Sequence, residues 1–200
     1  MSLFGRMLLY EMLSDSPDEA GSYGEMIVNS NIKLKAFGDQ ERYLIKDLYI
    51  EDDRGVHQID HIFIFKNGVF VVETKMFGGK ILGKEDDQVW TAYYSPKETI
   101  PFVNPLKQNE SHIRALKYKF KDMFDFQSVI VFPNNNKPLG CPSNVLNFKE
   151  LKHYFLDYKP KKELSSEEMQ YLKGALEDIA KNRKELRAKH REMLKKQRGK

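Results

Sequence analysis

The stretch from Gln58 to Lys75 constrains the fold more than any other. It runs Gln58-Ile59-Asp60-His61-Ile62-Phe63-Ile64-Phe65, then Lys66-Asn67-Gly68, then Val69-Phe70-Val71-Val72-Glu73-Thr74-Lys75. Asn-Gly between two apolar runs is a strong short-range hairpin signal. If Asn67-Gly68 is a two-residue loop, Lys66 pairs with Val69, Asp60 faces Lys75 and Ile62 faces Glu73. Opposed residues share a face of the sheet. Asp60, Glu73 and Lys75 therefore project from one side, with Asp60 and Glu73 as diagonal neighbours about 5–8 Å apart at Cα. Phe63, Phe65, Phe70 and Val72 project from the other side, as core. His61 points away from Asp60 and is expected to be a hydrogen-bonded packing residue rather than a ligand.

The rest of the chain reads as α, then β, then α. A short amphipathic helix is expected over residues 3–13 and a second over about 18–37, weakened by Gly21 and Gly24. Residues 43–50, 80–82, 89–94 and 127–132 read as strands, and residues 144–148 as a last short one. Asn104-Pro105 starts a helix to about Met123, with Asn as cap and Pro at the first helical position. A helix follows over 149–158, then a linker at Lys159-Pro160-Lys161-Lys162. Ser165 and Glu168 form a capping-box pattern that opens a long helix. The expected organisation is one domain over residues 1–160 and a basic helical extension over 161–200.

Charge sharpens that division. Ten Lys or Arg against two Glu make residues 181–200 carry +8, so a net charge of +4 leaves −4 for residues 1–180. An acidic body with a basic arm suits a site that collects cations joined to an arm that tracks phosphates; a solvated lysine-rich helix is the plain alternative. Along the arm, Arg183, Lys184, Arg187 and Arg191 recur at three- and four-residue spacings as one stripe. Its charge density is expected to keep it from packing tightly on the body. The single cysteine, Cys141, excludes an intrachain disulfide and fits a cytoplasmic setting. No apolar run approaches the roughly 20 residues of a membrane helix.

Two carboxylates at such spacing can share one divalent cation, and an ammonium beside them reaches the same substrate. Phosphodiester hydrolysis needs both an activated water and a neutralised phosphoryl group, which carboxylate-bound Mg²⁺ or Mn²⁺ supplies. Geometry alone also admits a cross-strand salt bridge between Asp60 and Lys75 with Glu73 solvated. Against that reading, charges set inside strands apolar on both faces need a partner or a function.

Asp60 followed, after a hairpin, by Glu73-Thr74-Lys75 resembles the Asp…Glu-x-Lys motif of the PD-(D/E)XK nucleases. The longer pattern resembles one branch, the nuclease-related domain (NERD). It comprises Gly24-Glu25, the Gln58–Lys75 hairpin, Gly79-Lys80-Ile81-Leu82-Gly83, Trp90, and the run from Phe102 to His112. The resemblance implies a mixed central sheet flanked by helices, restriction-endonuclease-like, with metal-binding Asp60 and Glu73 and catalytic Lys75. It adds Glu25 as a further acidic ligand and Gln108 as the residue completing the site. Two positions depart from the family pattern: Ser22 replaces an expected Glu, and Met76 stands where a polar residue commonly follows the lysine.

The expected function is Mg²⁺- or Mn²⁺-dependent hydrolysis of DNA. Beside the site, Lys107 and Arg114 are candidate phosphate contacts or else solvated charges, and His112 a phosphate contact or a helix-packing residue; along the arm, Arg183, Lys184, Arg187 and Arg191 are candidate phosphate contacts. The rival is a non-catalytic nucleic-acid or protein-binding module on the same fold. Leu164, Met169, Leu172, Leu176 and Ile179 suit packing on the body, a second copy or a partner helix.

Overall fold

The computed structural model describes residues 24–28, 37–134 and 137–198. The helix expected over 3–13, Ser22, and most of the helix expected over 18–37 lie outside the described residues; 24–28 are helical. Eight strands follow: β1 (Arg42–Asp52), β2 (Gly55–Phe65), β3 (Gly68–Thr74), β4 (Lys80–Leu82), β5 (Val89–Ser95), β6 (Glu98–Val103), β7 (Phe126–Phe132) and β8 (Val145–Asn147). Helix α1 (Pro105–Phe120) joins β6 to β7, and α2 (Phe148–Asp157), α3 (Ser166–Ala180) and α4 (Arg183–Arg198) close the chain.

The main sheet has the order β1-β2-β3-β7-β8. Its first three strands are antiparallel, and β7 and β8 join in parallel. Helices cover both faces. On one, Ile45, Leu48, Ile62, Ile64, Val69 and Val71 pack against Ala115, Leu116 and Phe120 of α1 and Met169, Leu172 and Leu176 of α3. On the other, Phe63, Phe65, Phe70 and Val72 meet Phe37 and Leu151 and Phe155 of α2. This is the mixed α/β architecture expected of a restriction-endonuclease-like fold. A second sheet, β4-β5-β6, carries Trp90 and Ala92 inward. Its edge strand β6 contains Pro101 and carries no alternation strong enough to mark it in sequence. An edge position tolerates the missing N–H.

The hairpin register differs from the expected one. Phe65 pairs with Gly68 and His61 with Val72, so the loop is Lys66-Asn67 and the strands are offset by two residues. Neither loop residue has positive φ; Gly68 alone does, at 151°. Asn67 is occupied instead in donating through Nδ2 to the carbonyls of Phe155 and Leu156 at the end of α2. An offset of two keeps every side chain on its face. Asp60 and Glu73 still share one, and it is Glu73, not Lys75, that stands at the level of Asp60.

The long helix expected from Ser165 is two. At Lys181-Asn182 the amides turn back to Asp178 and Ile179, and the Asn182 carbonyl accepts from Leu186 to start α4. Contrary to the expectation from its charge, α4 docks on the body. Leu186 is buried against Tyr49 and Val56, Arg183 pairs with Asp47 and Lys189 with Glu51, and the His190 ring lies 5.7 Å from that of Tyr49. Acidic groups on β1 neutralise the inner side of the helix, leaving Lys184, Arg187 and Arg191 exposed.

Candidate active site

The site begins where β2 and β3 part. Their ladder runs from the loop to His61–Val72. Beyond it, the Thr74 amide donates to Asp60 Oδ2 at 2.8 Å, a carboxylate standing in for a strand carbonyl. The Lys75 amide turns to the other neighbour and donates to the Val131 carbonyl at 2.9 Å. The parted strands open a cleft of about 740 Å³, floored by Asp60, Glu73 and Lys75. Lys107, Gln108, Ser111, His112 and Arg114 of α1 form one wall, and His190, Met193 and Leu194 of α4 another. Asn104 fixes α1 there. Its Oδ1 caps the Leu106 amide, and its Nδ2 donates to the carbonyls of Glu85 and Asp87 at 2.9 and 2.7 Å.

Lys75 Nζ lies 2.6 Å from Glu73 Oε1. The cross-strand bridge to Asp60 that geometry admitted is replaced by this pair. Glu73 Oε2 is buried without a hydrogen-bond partner, and so is His112 Nδ1, 3.5 Å away. Burial, with the charges of Glu73 and Glu25, pushes the Asp60 carboxyl well above the usual range. Glu25, in the helical segment 24–28, is raised by burial and by Glu73. Burial alone would lower Lys75, but Glu73, Asp60 and Glu25 outweigh it and raise its pKa, so the ammonium persists at neutral pH. Burial holds His112 neutral, down to about 4.

His61 packs on the far side as expected, with its pKa lowered to about 4, chiefly by burial, but its Nδ1 is buried without the expected hydrogen-bond partner. Met76 packs on Ile27 and sits 3.0 Å from where a Cβ on Gly24 would stand. That contact accounts for an apolar residue after the lysine. Arg114 is held by Asp52, through Nε at 3.2 Å and a terminal nitrogen at 3.1 Å. Sequence reasoning misses Asp52, His57 and Ser111, which lie within one hydrogen-bonded group at the cleft wall. Asp52 hides inside a segment that reads as a plain turn. Ser111 carries a faint signal, three residues after Gln108 and so on the same side of α1.

Comparison with known proteins matches the nuclease-related domain family over residues 20–133, more than half of the chain. The chain belongs to that family. This NERD chain is also similar to a Bacillus anthracis protein whose name says only that it is uncharacterized. The two are 33% identical over 117 residues, which is 58% of this chain and 54% of the relative. The match thus spans about half the length of that relative. No solved structure matches the chain.

Among the described residues, no three His, Cys, Asp or Glu side chains form a group placed to hold a metal ion. The donors nonetheless suit a hard cation. Mg²⁺ retains several waters and is commonly held by one or two carboxylates together with substrate phosphate. A buried Glu73 oxygen without a partner, beside an Asp60 whose ionisation burial and like charge oppose, is the environment a divalent cation relieves. Among the described residues no helix is long and apolar enough to cross a membrane.

Proposed function

We propose that this NERD protein is a divalent-metal-dependent nuclease acting on DNA phosphodiesters. What carries the reading is Asp60 and Glu73 crowded beside the Lys75 ammonium, in a cleft whose rim bears Arg54, Lys107 and Arg114. Asp60 and Glu73, with Glu25 nearby, would hold Mg²⁺ or Mn²⁺, which supplies acidity to a bound water and neutralises phosphoryl charge. Lys75 stays protonated, so it serves as an electrostatic contact to a phosphoryl oxygen rather than as a base. The Thr74 amide holds one Asp60 oxygen and leaves the other for the reaction. Gln108 offers a neutral donor and acceptor from α1 to the attacking water, and Lys107 a charge to the flanking phosphate. Beyond the cleft, Lys184, Arg187 and Arg191 continue the cationic surface, with Lys181 and Arg183 in the same groove. His112, buried beside Glu73, acts on that carboxylate rather than on DNA.

A second reading, a binding module that does not hydrolyse, draws on the lack of a three-donor metal group among the described residues. Incubating the purified chain with linear, circular and single-stranded DNA in Mg²⁺, Mn²⁺ or EDTA separates the two. Metal-dependent, EDTA-sensitive fragments support the nuclease; retention of DNA without fragments in every metal supports the module.

A further inference from the structure

We propose that Ser111, His57 and Asp52 form a proton relay that protonates the leaving oxygen when the phosphodiester is cut, an inference that rests on the nuclease reading above. The Asp52 side chain is fully buried. It accepts from the Arg54 and Gly55 amides at 2.8 and 3.1 Å, from Arg114, and from His57 Nε2 at 3.0 Å. An ionised carboxylate only accepts, so the Nε2 nitrogen carries the proton. His57 Nδ1 is then turned to Ser111 Oγ at 3.2 Å. In the neutral ring the serine donates to Nδ1. In the imidazolium Nδ1–H donates to Oγ, both ring N–H groups are satisfied by the same geometry, and the Ser111 hydroxyl proton is free to face the cleft.

His57 and Ser111 line the same cleft as Asp60, Glu73 and Lys75. The His57 and His112 ring centres are 6.2 Å apart, and His112 abuts Glu73. An alkoxide leaving a phosphodiester needs a proton, and the other groups on the floor are poor sources. Lys75 is bound to Glu73 with its pKa raised, while Asp60 and Glu73 are assigned to the cation. In the step, the water oxygen forms the new P–O bond as the bond to the leaving oxygen breaks. That oxygen's electron pair takes the Ser111 hydroxyl proton, Oγ takes the proton of Nδ1, and His57 returns to neutral imidazole with Nε2–H still on Asp52. Ser111 is the catalytic residue; His57 and Asp52 position and recharge it.

The test uses the full chain, Mn²⁺, and oligonucleotides carrying a single bridging sulfur in place of the 3′- or 5′-oxygen at the cut position. A thiolate leaves without protonation. Ser111→Ala, and His57→Gln as a second variant, are expected to slow single-turnover cleavage of the oxygen substrate by about 10²–10³-fold. On the sulfur substrate that is cut, they should slow it by less than about threefold, an asymmetry a purely structural tie would not produce. Equal slowing of both substrates, or none on oxygen, overturns the relay and leaves the nuclease reading standing. Failure of the unsubstituted chain to cut either substrate overturns the nuclease reading, and the relay with it.

Discussion

A carboxylate that gathers a turn, an imidazole and a guanidinium is destabilising to lose, and Asp52 shows by how much. Burial opposes its ionisation, but hydrogen bonds from His57, the Arg54 amide and Arg114 outweigh it and lower its pKa from 3.8 to about 2. A depressed native pKa stabilises the fold above the unfolded value and loses that contribution as pH falls through the native one. The shift corresponds to about 2 kcal/mol. Asp52→Asn is therefore expected to unfold at lower urea near pH 7, by about that amount, with the gap closing as pH approaches about 2. A gap unchanged at low pH would trace the loss to packing alone. At the cleft floor, Asp60→Asn, Glu73→Gln and Lys75→Ala should each cut cleavage by at least about a hundredfold, with circular dichroism unchanged. Wild-type rates in all three would remove the site from these residues. That the three share one face was legible from strand alternation, and a charge inside a run such as Val69-Phe70-Val71-Val72-Glu73 calls for a partner or a function. Asp52, His57 and Ser111 were not legible, because β1, β2 and α1 meet only in three dimensions and each residue alone is ordinary where it stands.

At the scale of elements, alternation carried more information than turn chemistry. The Asn67-Gly68 signal marked the hairpin correctly but misplaced its loop, because Asn67 serves α2 through its side chain and that demand is invisible locally. The face assignments survived since the error was even. The start of α1 was readable from Asn104-Pro105, yet the depth of that cap was not. Asn104 is wholly buried and also binds the chain between β4 and β5. Asn104→Ala should cost about 2–3 kcal/mol, more than an ordinary cap, since it also releases the exposed segment between β4 and β5 from α1. In a chain of 200 residues this lowers Tm by roughly 4–12 °C, readable by calorimetry. A much smaller loss would mean that water replaces the amide.

The molecule as a whole joins an acidic sheet edge to a basic helix, and sequence showed the charges without showing that they meet. Asp47 and Glu51 are scattered in β1, so nothing local announces them as the seat of α4. Because α4 also walls the cleft, its cations are best tested by substitution rather than by deletion. Replacing Lys184, Arg187 and Arg191 together with Gln should weaken duplex binding and reduce the log-log salt slope by about 0.9 for each phosphate no longer neutralised. Superimposable slopes would show that these three cations do not hold DNA.

The seat of α4 also has a mechanical side. Two of its ties, Arg183–Asp47 and Lys189–Glu51, are ion pairs at the surface, and Leu186 is its one buried apolar anchor among the described side chains. Surface pairs weaken as salt screens them, whereas apolar burial does not. Raising ionic strength should thus make the helix more compliant about Leu186 while the β2–β3 hairpin keeps its stiffness. Amide hydrogen exchange reads this directly: faster exchange across residues 183–196 in high salt, with Ile62 to Val72 unchanged. One wall of the cleft would then be set by the ionic strength of its surroundings, and the floor by the packing of the hairpin.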